Sequence, residues 1–399
     1  MTFRSPRFIN LLFMTLLNQN NTETSYSFEL PGGRLEVKVT GTEKPFEDLC
    51  AVASRLNAQR PFVFVSKVLG KHWPAKPETL TETHRLLAEK IGRLEPPVIF
   101  MAMAETAIGL GRGVFEQWYS ITGEENSLFC HTTRYNLEKP LAFRIDESHS
   151  HARDHLIYEP DGDEKKAVFS QAKSLVLVDD EISTGRTLSS LAQAYAQKNP
   201  FLSSLTFVCL TNWLPYDQRL AINEQTAGSA GEVRYVSLLN GSFNFIGSGQ
   251  LETNPGLRSV GNWQPMGQAL AVNYGRLGLT PSESMALSRK AMKAAETLKI
   301  NSGPVRVIGT GEFLHEPYVV ARHLEELGYE VKLQSTTRTP LTVGQAIENS
   351  VHLSDNYGEG IDNFLYNASR NFSGQTFALY ETGQELETLS HLGAQTIKL

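Results

Sequence analysis

The sequence is poor in three features that would mark particular classes of protein. It has only 3 cysteines (Cys50, Cys130 and Cys209) and no Cys-x-x-Cys pair, so neither a disulfide framework nor a cysteine zinc site can be read from it. It has no block of Lys and Arg, and its formal net charge is −6. That balance argues against a nucleic-acid binder, whose affinity would come from neutralising phosphates. The cysteine usage predicts a reducing, cytoplasmic setting.

Long apolar runs are also lacking. The longest candidate, residues 8–17, follows Arg4 and Arg7. It is shorter than the roughly 20 residues that a membrane span requires, so we expect no membrane partner. No Ala-x-Ala cleavage site follows it, and we therefore predict that residues 1–24 form an N-terminal extension. A secretion signal and an over-long gene start remain the alternatives.

The remaining 375 or so residues are typical of packed domains. Hydrophobic residues make up 41% of the chain, and its length predicts two to three domains. Alternating strand and helix patterns predict an α/β domain over 25–245 and a second, smaller α/β domain over 281–399. Residues 246–280 are rich in Gly, Asn, Ser and Pro and are predicted to be a linker. Residues 45–58 are predicted to form an amphipathic helix.

The most informative motif is LVLVDDEISTGRT, residues 175–187. Four apolar residues predict a buried strand that leaves Asp179 and Asp180 at its carboxyl end, where open parallel sheets bind ligands. The turn that follows precedes a helix, and its amides and hydroxyls suit a phosphate. Carboxylates for two hydroxyls beside an anion site fit a ribose 5-phosphate; the alternative is an Asp-rich helix cap. The candidate phosphate contacts are Ser183, Thr184, Gly185, Arg186 and Thr187.

This motif resembles the phosphoribosyl-diphosphate (PRPP) signature of type I phosphoribosyltransferases. The resemblance implies a parallel sheet with flanking helices and a hood over the acceptor. It also implies that Asp179 and Asp180 orient the ribose and that Mg²⁺ is bound through PRPP, with no metal site of the protein's own. A pyrophosphate loop should follow the first core strand, and residues 104–111 occupy that place. A basic residue should follow the second core strand, and Arg134 does. The loop contacts are predicted to be Glu105, Thr106 and Ala107.

The same resemblance implies a flexible lid, for which residues 135–160 are the candidate. Within them His149 and His151 could act as acid or base, contact pyrophosphate or be solvated, and their spacing matches no common zinc pattern. Lys67 and Lys71 follow a strand of the expected hood. Each could contact an anion, or could be an ordinary surface lysine.

A closer resemblance covers nearly the whole chain from about residue 25. The strings KVLGKH (67–72), HSHARDH (149–155) and TRTP (337–340) resemble an orotate-phosphoribosyltransferase-like subfamily. Its members carry a C-terminal domain named for a Thr-Arg-Ser-Pro string (TRSP) and are associated with tellurium-resistance and stress gene clusters. Here Thr339 replaces the Ser and keeps the hydroxyl.

Two turns of the second domain also indicate a ligand site. Gly311 and Glu312 follow one predicted strand, with only two of the three glycines of a dinucleotide-binding turn. Thr337 and Arg338 follow the next strand. Since parallel strands end at one sheet edge, we expect the two turns to share an anion-binding pocket. The alternative is a pair of polar loops with a structural Arg.

Together these features predict an enzyme that transfers ribose 5-phosphate from PRPP to a nitrogenous base or related acceptor and releases pyrophosphate. Asp179, Asp180 and Arg134 would carry the reaction, with Mg²⁺ as cofactor. The C-terminal domain could bind or process the product. A non-catalytic PRPP-sensing regulator is the alternative. We expect a homodimer, and the acceptor is left open.

Overall fold

The computed structural model describes residues 23–399, except 56, 58–59, 146–153, 249–256, 258–262, 370, 383 and 398. His149 and His151 therefore lie outside the described residues. Within the described ranges, no helix is both long and apolar enough to cross a bilayer.

The first domain is built on one large sheet. Its strands follow the order β1-β2-β12-β11-β9-β5-β6, and β10 adds beside β11. The strands from β12 to β6 are parallel, whereas β1 and β2 are antiparallel. The central strands are buried on both faces because helices cover both sides, which explains their continuous apolar runs. The bounds are β1 Thr24–Leu30, β2 Gly33–Thr42, α1 Phe46–Leu49, β3 Cys50–Ser54, β4 Phe62–Ser66, α2 Pro77–Ile91, β5 Val98–Ala102, α3 Ile108–Thr122, β6 Ser127–His131, β7 Leu141–Ile145, β8 His155–Tyr158, α4 Asp163–Gln171, β9 Ser174–Val178, β10 Glu181–Ile182, α5 Arg186–Lys198, β11 Ser204–Asn212, α6 Tyr216–Ala230 and β12 Glu232–Gly247.

The predicted helix over 45–58 is wrong. Only α1, one turn long, is helical, and the chain then enters β3. Strand β3 pairs antiparallel with β4, from Cys50 opposite Ser66 to Ser54 opposite Phe62. This long-range pairing buries apolar side chains on both faces and overrides the local helical pattern. The β3–β4 hairpin lies where the hood is expected, and it is called the hood below.

The expected lid is also more ordered than predicted. Strands β7 and β8 form an antiparallel hairpin whose tip, residues 146–153, lies outside the described part. Its base is fixed by mutual backbone hydrogen bonds of 2.9 Å between Thr133 and Leu156. Tyr135 is only 3% exposed, because its ring stacks on Tyr357 with centroids 4.2 Å apart. The start of the predicted lid is therefore part of a core.

The second domain confirms the prediction of a smaller α/β unit. Its sheet, in the order β14-β13-β17-β18, is wholly parallel. Helix α7 begins with a capping box, in which Thr280 and Glu283 exchange side-chain and backbone hydrogen bonds, as the Thr-x-x-Glu sequence favours. The bounds are α7 Pro281–Glu296, β13 Val305–Gly309, α8 His315–Glu326, β14 Val331–Ser335, β15 Ser350–Ser354, β16 Asp362–Tyr366, β17 Gln375–Leu379, α9 Glu387–Ser390 and β18 Ala394–Ile397.

The described part of the predicted linker is packed. Strand β12 continues to Gly247, and residues 263–280 lie against the first domain. Leu279 exchanges backbone hydrogen bonds of 2.8 and 2.9 Å with Phe129, and Met266 and Leu270 are buried. These apolar side chains hold the segment in place. The division of the chain at 245 and 281 stays a prediction.

Buried polar contacts join the two domains. Helix α8 packs against α2 and α3. Arg112 of α3 is fully buried, pairs with Glu316 of α8 and donates to Ser284 Oγ (3.0 Å) and Ser284 O (3.1 Å). Ala75 pairs with Leu333 by backbone hydrogen bonds of 2.8 and 3.0 Å, adding a bridge to the edge of the second sheet.

We predict that Arg112→Ala lowers the free energy of unfolding by about 3–5 kcal/mol, because Glu316 would stay buried without its partner. The matched control is Arg85→Ala. Arg85 forms an exposed i,i+4 pair with Glu89, whose loss should cost only about 0.3–0.5 kcal/mol. Urea unfolding followed by circular dichroism measures both. Equal losses in the two variants would contradict the assigned role of Arg112.

Candidate active site

Asp179 and Asp180 lie at the carboxyl end of β9, in the centre of the first sheet. Asp180 N donates to Asp179 Oδ1 at 2.9 Å, which orients the first carboxylate. Burial and the neighbouring Asp180 charge raise the pKa of Asp179 well above its usual range. Burial and the Glu181 charge raise the pKa of Asp180 to about 6. Among the described residues no cation pairs directly with either carboxylate, and the few donors nearby do not offset burial, as expected of a site that a ligand completes.

The turn that follows leaves the start of α5 open. Gly185 has φ +67°, and a Cβ there would lie 2.7 Å from Ile222 Cδ1, so the tight turn requires glycine. Among the described residues no side chain caps α5, and the closest hydroxyl contact is a long one of 3.5 Å from Arg186 N to Thr184 Oγ1. Uncapped amides at a helix N-terminus bind anions. The remaining predicted contacts, Ser183 and Thr187, flank the same turn.

The predicted pyrophosphate loop follows β5, the strand next to β9. Ala104 N donates to Thr132 Oγ1 at 2.8 Å, and Ala107 N donates to Met103 O at 3.2 Å. Between them, the amides of Glu105 and Thr106 donate to no acceptor in the described part of the chain. The loop therefore offers two free N–H donors beside the start of α3.

Arg134 follows β6, the strand on the other side of β5. Its Nη2 lies 3.1 Å from His155 Nε2, and His155 Nδ1 lies 2.8 Å from Thr132 Oγ1. A guanidinium only donates, so His155 accepts at Nε2 and carries its proton at Nδ1. Thr132 therefore links Arg134, through His155, to the amide of Ala104. The loops after β5, β6 and β9 thus meet at one sheet edge.

The second domain reaches this edge with its own strand ends. Glu312, after β13, accepts from Thr133 Oγ1 (2.6 Å) and Arg134 N (3.0 Å) and pairs with Arg276 (2.8 Å). Burial would raise the pKa of Glu312, but the Arg276 charge and the hydrogen bonds from Thr133 and Arg134 contribute to an opposing effect that holds the pKa below its usual range. Arg338, after β14, donates from Nε to Glu105 at 3.1 Å. The carboxyl edges of the two sheets therefore face each other.

The two lysines of the segment after the hood lie in different environments. Lys71 is buried, pairs with Glu105 at 2.6 Å and donates to Gly311 O at 2.5 Å. Lys67 instead donates to Glu47 O at 2.8 Å and lies over the Trp73 ring. Of the two candidates, only Lys71 joins the facing edges.

Glu312 and Arg338 do lie in one cluster. The Glu312 charge raises the pKa of Arg338, and both charges affect the pKa of Lys71. Their partners come from the first domain, because Arg338 Nη2 donates to Tyr135 OH at 3.0 Å. The predicted pocket is therefore a seam between domains, and its charges are paired. Thr337 is buried and accepts from Thr339 N. Anion binding by this cluster stays a prediction.

Sequence reasoning missed two members of the cluster. Glu381 follows β17 at the same sheet edge and pairs with Arg276; the strand-end rule that selected Glu312 would also have found it. Arg276 lies in the expected linker, where no periodic pattern marked it. Glu181 pairs with Arg60 of the hood at 2.5 Å. The sequence alone indicated no separate role for Glu181 within the motif.

The donor set fits a metal that arrives with its substrate. In the described ranges no group of three or more His, Cys, Asp or Glu could hold a metal ion. Asp179 and Asp180, with raised pKa values, supply two oxygen donors that a hydrated Mg²⁺ or ribose hydroxyls would suit.

Two family models match the sequence. A phosphoribosyl transferase model matches residues 49–242. A model of the TRSP domain, described as C-terminal to that transferase domain, matches residues 273–396. Residues 49–242 are therefore similar to phosphoribosyl transferases, and residues 273–396 are similar to the TRSP domain that follows them. The first match spans the hood and all three strand-end loops, and the second spans Arg276, Glu312, Arg338 and Glu381.

Solved structures show a distant likeness. An adenine phosphoribosyl transferase from Trypanosoma brucei, in complex with AMP, pyrophosphate and ribose-5-phosphate, is 13% identical; the match covers 50% of this chain and 83% of that one, with TM-score 0.34. An adenine phosphoribosyltransferase from Leishmania tarentolae is 14% identical, covering 48% and 85%, with TM-score 0.33. A hypoxanthine-guanine phosphoribosyltransferase from Bacillus anthracis is 19% identical, covering 34% and 68%, with TM-score 0.24. No curated protein sequence matches the chain.

We predict that Asp180→Asn stabilises the free protein at neutral pH. The native pKa of about 6 exceeds the unfolded value of 3.8, so the native state holds a proton that the unfolded state has lost. Wild-type stability therefore falls as pH rises from about 4 to about 6, and the neutral Asn avoids that loss. Melting temperatures of variant and wild type should coincide below pH 4 and diverge above pH 6.

The control is Asp163→Asn, at the exposed first turn of α4. The Asp163 carboxylate interacts favourably with the positive end of the α4 dipole. Removing its charge should therefore lower the melting temperature slightly at neutral pH. The assignment would be wrong if Asp180→Asn behaved like Asp163→Asn.

Proposed function

We propose that this protein is a phosphoribosyltransferase that transfers ribose 5-phosphate from PRPP to a ring nitrogen of a base or related acceptor. Pyrophosphate is released, Mg²⁺ is required, and the reaction occurs in the cytoplasm in a homodimer. The proposal extends to the orotate-phosphoribosyltransferase-like subfamily and to a C-terminal domain that binds or further processes the product.

One observation carries the proposal: a buried carboxylate pair with raised pKa values lies beside a helix that, among the described residues, no side chain caps. Asp179 and Asp180 end β9, and α5 begins six residues after Asp180. The carboxylates suit the two ribose hydroxyls, and the amides of α5 suit the 5-phosphate. On the neighbouring strand, the free amides of Glu105 and Thr106 suit the diphosphate.

In the proposed reaction, the acceptor nitrogen bonds to C1 of the ribose as the bond from C1 to the diphosphate oxygen breaks. The acceptor then loses its N–H proton to solvent. Mg²⁺, bound through PRPP, would neutralise charge on the diphosphate. Asp179 and Asp180 hold the ribose, and Arg134, held by His155, faces the charge that develops on the leaving group. No covalent nucleophile is needed.

The hood packs against the motif that follows β9. Arg60 pairs with Glu181, and its guanidinium lies 4.9 Å from the centre of the Phe62 ring. Phe64 stacks on Trp213 with ring centroids 4.4 Å apart, and both side chains are buried. These contacts hold the hood near the strand end that carries the carboxylate pair, where the acceptor is proposed to bind.

We predict that the wild-type protein binds Mg·PRPP and that Asp179→Asn combined with Asp180→Asn weakens this binding at least about tenfold per carboxylate, because charge-assisted hydrogen bonds to the ribose are lost. Isothermal titration calorimetry measures the affinity, and Asp163→Asn is the control. Unchanged affinity in the double variant would refute the ribose assignment.

Catalysis is tested by pyrophosphate release from Mg·PRPP with a panel of purine, pyrimidine and pyridine bases. Release that depends on one base, and that Arg134→Gln slows, supports the transferase. Tight PRPP binding without release for any base would support the PRPP-sensing regulator instead.

A further inference from the structure

The side chain of Glu105 is held by cations from two domains. Its Oε1 pairs with Lys71 Nζ at 2.6 Å, and its Oε2 accepts from Arg338 Nε at 3.1 Å. Lys71 belongs to the segment after the hood, and Arg338 belongs to the C-terminal domain. The Glu105 side chain is only 8% exposed, so solvent screens this contact little.

The environment of this contact favours the charged form of some of its groups more than that of others. Burial would raise the pKa of Glu105, but Lys71 and Arg338 outweigh it and lower the pKa. Burial lowers the pKa of Lys71, although Glu105 opposes this. The pKa of Arg338 is raised, because Tyr135 and Glu105 outweigh its burial. Arg338 is therefore the permanent cation on Glu105.

The backbone of the same residue has the opposite environment. The amides of Glu105 and Thr106 have no protein acceptor in the described chain, whereas each carboxylate oxygen of Glu105 lies beside a cation. Anchoring the side chain fixes where those amides point without occupying them. A fixed set of unused donors is what a preorganised anion site requires.

We propose that Arg338 of the C-terminal domain is a positioning residue for the pyrophosphate loop, acting through Glu105. This rests on the proposed function for the identity of the ligand, but the mechanical link itself does not. The loop on which the leaving group binds is thus set by the second domain. The first domain alone would keep the contact of Glu105 with Lys71 but lack the contact with Arg338.

The anchor of Arg338 supports this role. Its Nη2 donates to Tyr135 OH at 3.0 Å, and its guanidinium lies 5.6 Å from the centre of the Tyr135 ring. Tyr135 in turn stacks on Tyr357 of the C-terminal domain. The backbone of Arg338 follows β14 of the C-terminal domain, and its guanidinium is held by Tyr135 and Glu105. A shift between the domains would therefore move Glu105 together with Arg338.

The test uses the full chain and the variants Arg338→Gln, Arg338→Lys and Glu105→Gln. Arg306→Gln is the matched control, since Arg306 is a buried arginine of the same domain whose described contacts, with Thr376 and Ser369, stay within that domain. Two ligands probe the two halves of the site by calorimetry. Pyrophosphate with Mg²⁺ probes the loop, and ribose 5-phosphate probes the turn before α5.

Arg338→Gln should weaken pyrophosphate binding about tenfold or more and leave ribose 5-phosphate affinity unchanged, and Arg338→Lys should restore part of the loss. Glu105→Gln combined with Arg338→Gln should lose less than the sum of the two single losses, because the two residues share one contact. Arg306→Gln should lower the melting temperature without changing either affinity. Equal weakening of both ligands, or unchanged pyrophosphate affinity in Arg338→Gln, would overturn the proposal.

Hydrogen exchange separates this proposal from the proposed function. In the unliganded protein, Arg338→Gln should speed exchange in residues 104–111, and Arg306→Gln should not. If the wild type binds neither ligand, the transferase assignment fails, and faster exchange still supports the link. If exchange in 104–111 is the same in Arg338→Gln and wild type, the link is absent even where pyrophosphate binds.

Discussion

Opposite charges are buried where the carboxyl edges of the two domains' sheets face each other. The rest of the structure depends on this constraint. Each sheet ends its strands in polar turns, and each set of turns satisfies the other. Glu105 meets Arg338, and Glu312 meets Arg276 and the loop after β6. Buried charges are stable only when they are paired and hydrogen-bonded. The relative placement of the domains is therefore fixed by the residues that also shape the candidate site.

The site uses carboxylates in two contrasting environments. Glu105 and Glu312 are paired with cations, which hold their pKa values low despite burial. In the part of the chain that the structure describes, no cation forms an ion pair with Asp179 or Asp180, and burial raises their pKa values. The first pair contributes to the architecture, whereas the second pair is held in an unfavourable state that a ligand would relieve. A cost in stability at the second pair is expected of a binding site.

Much of the first domain and its site could be predicted from local patterns. The run before Asp179 predicted a buried strand, and the turn with Gly185 predicted the start of a helix, because both depend on neighbours in the chain. The helix predicted over 45–58 was wrong, since β3 exists only by pairing with β4. Arg276 and Glu381 were missed because their partners lie more than 30 residues away in sequence.

The sequence by itself determined the α/β class of both domains, the strand-end positions of Asp179, Arg134, Glu312 and Arg338, and the family resemblance. These follow from hydrophobic periodicity and from glycine's freedom at φ > 0, which act over a few residues. Only the tertiary structure decided that Arg338 meets Glu105, that Lys71 is buried while Lys67 is not, and that the second domain's turns complete the first domain's edge. Those contacts join residues more than 30 positions apart in the chain, and their energies depend on burial, which no local pattern records.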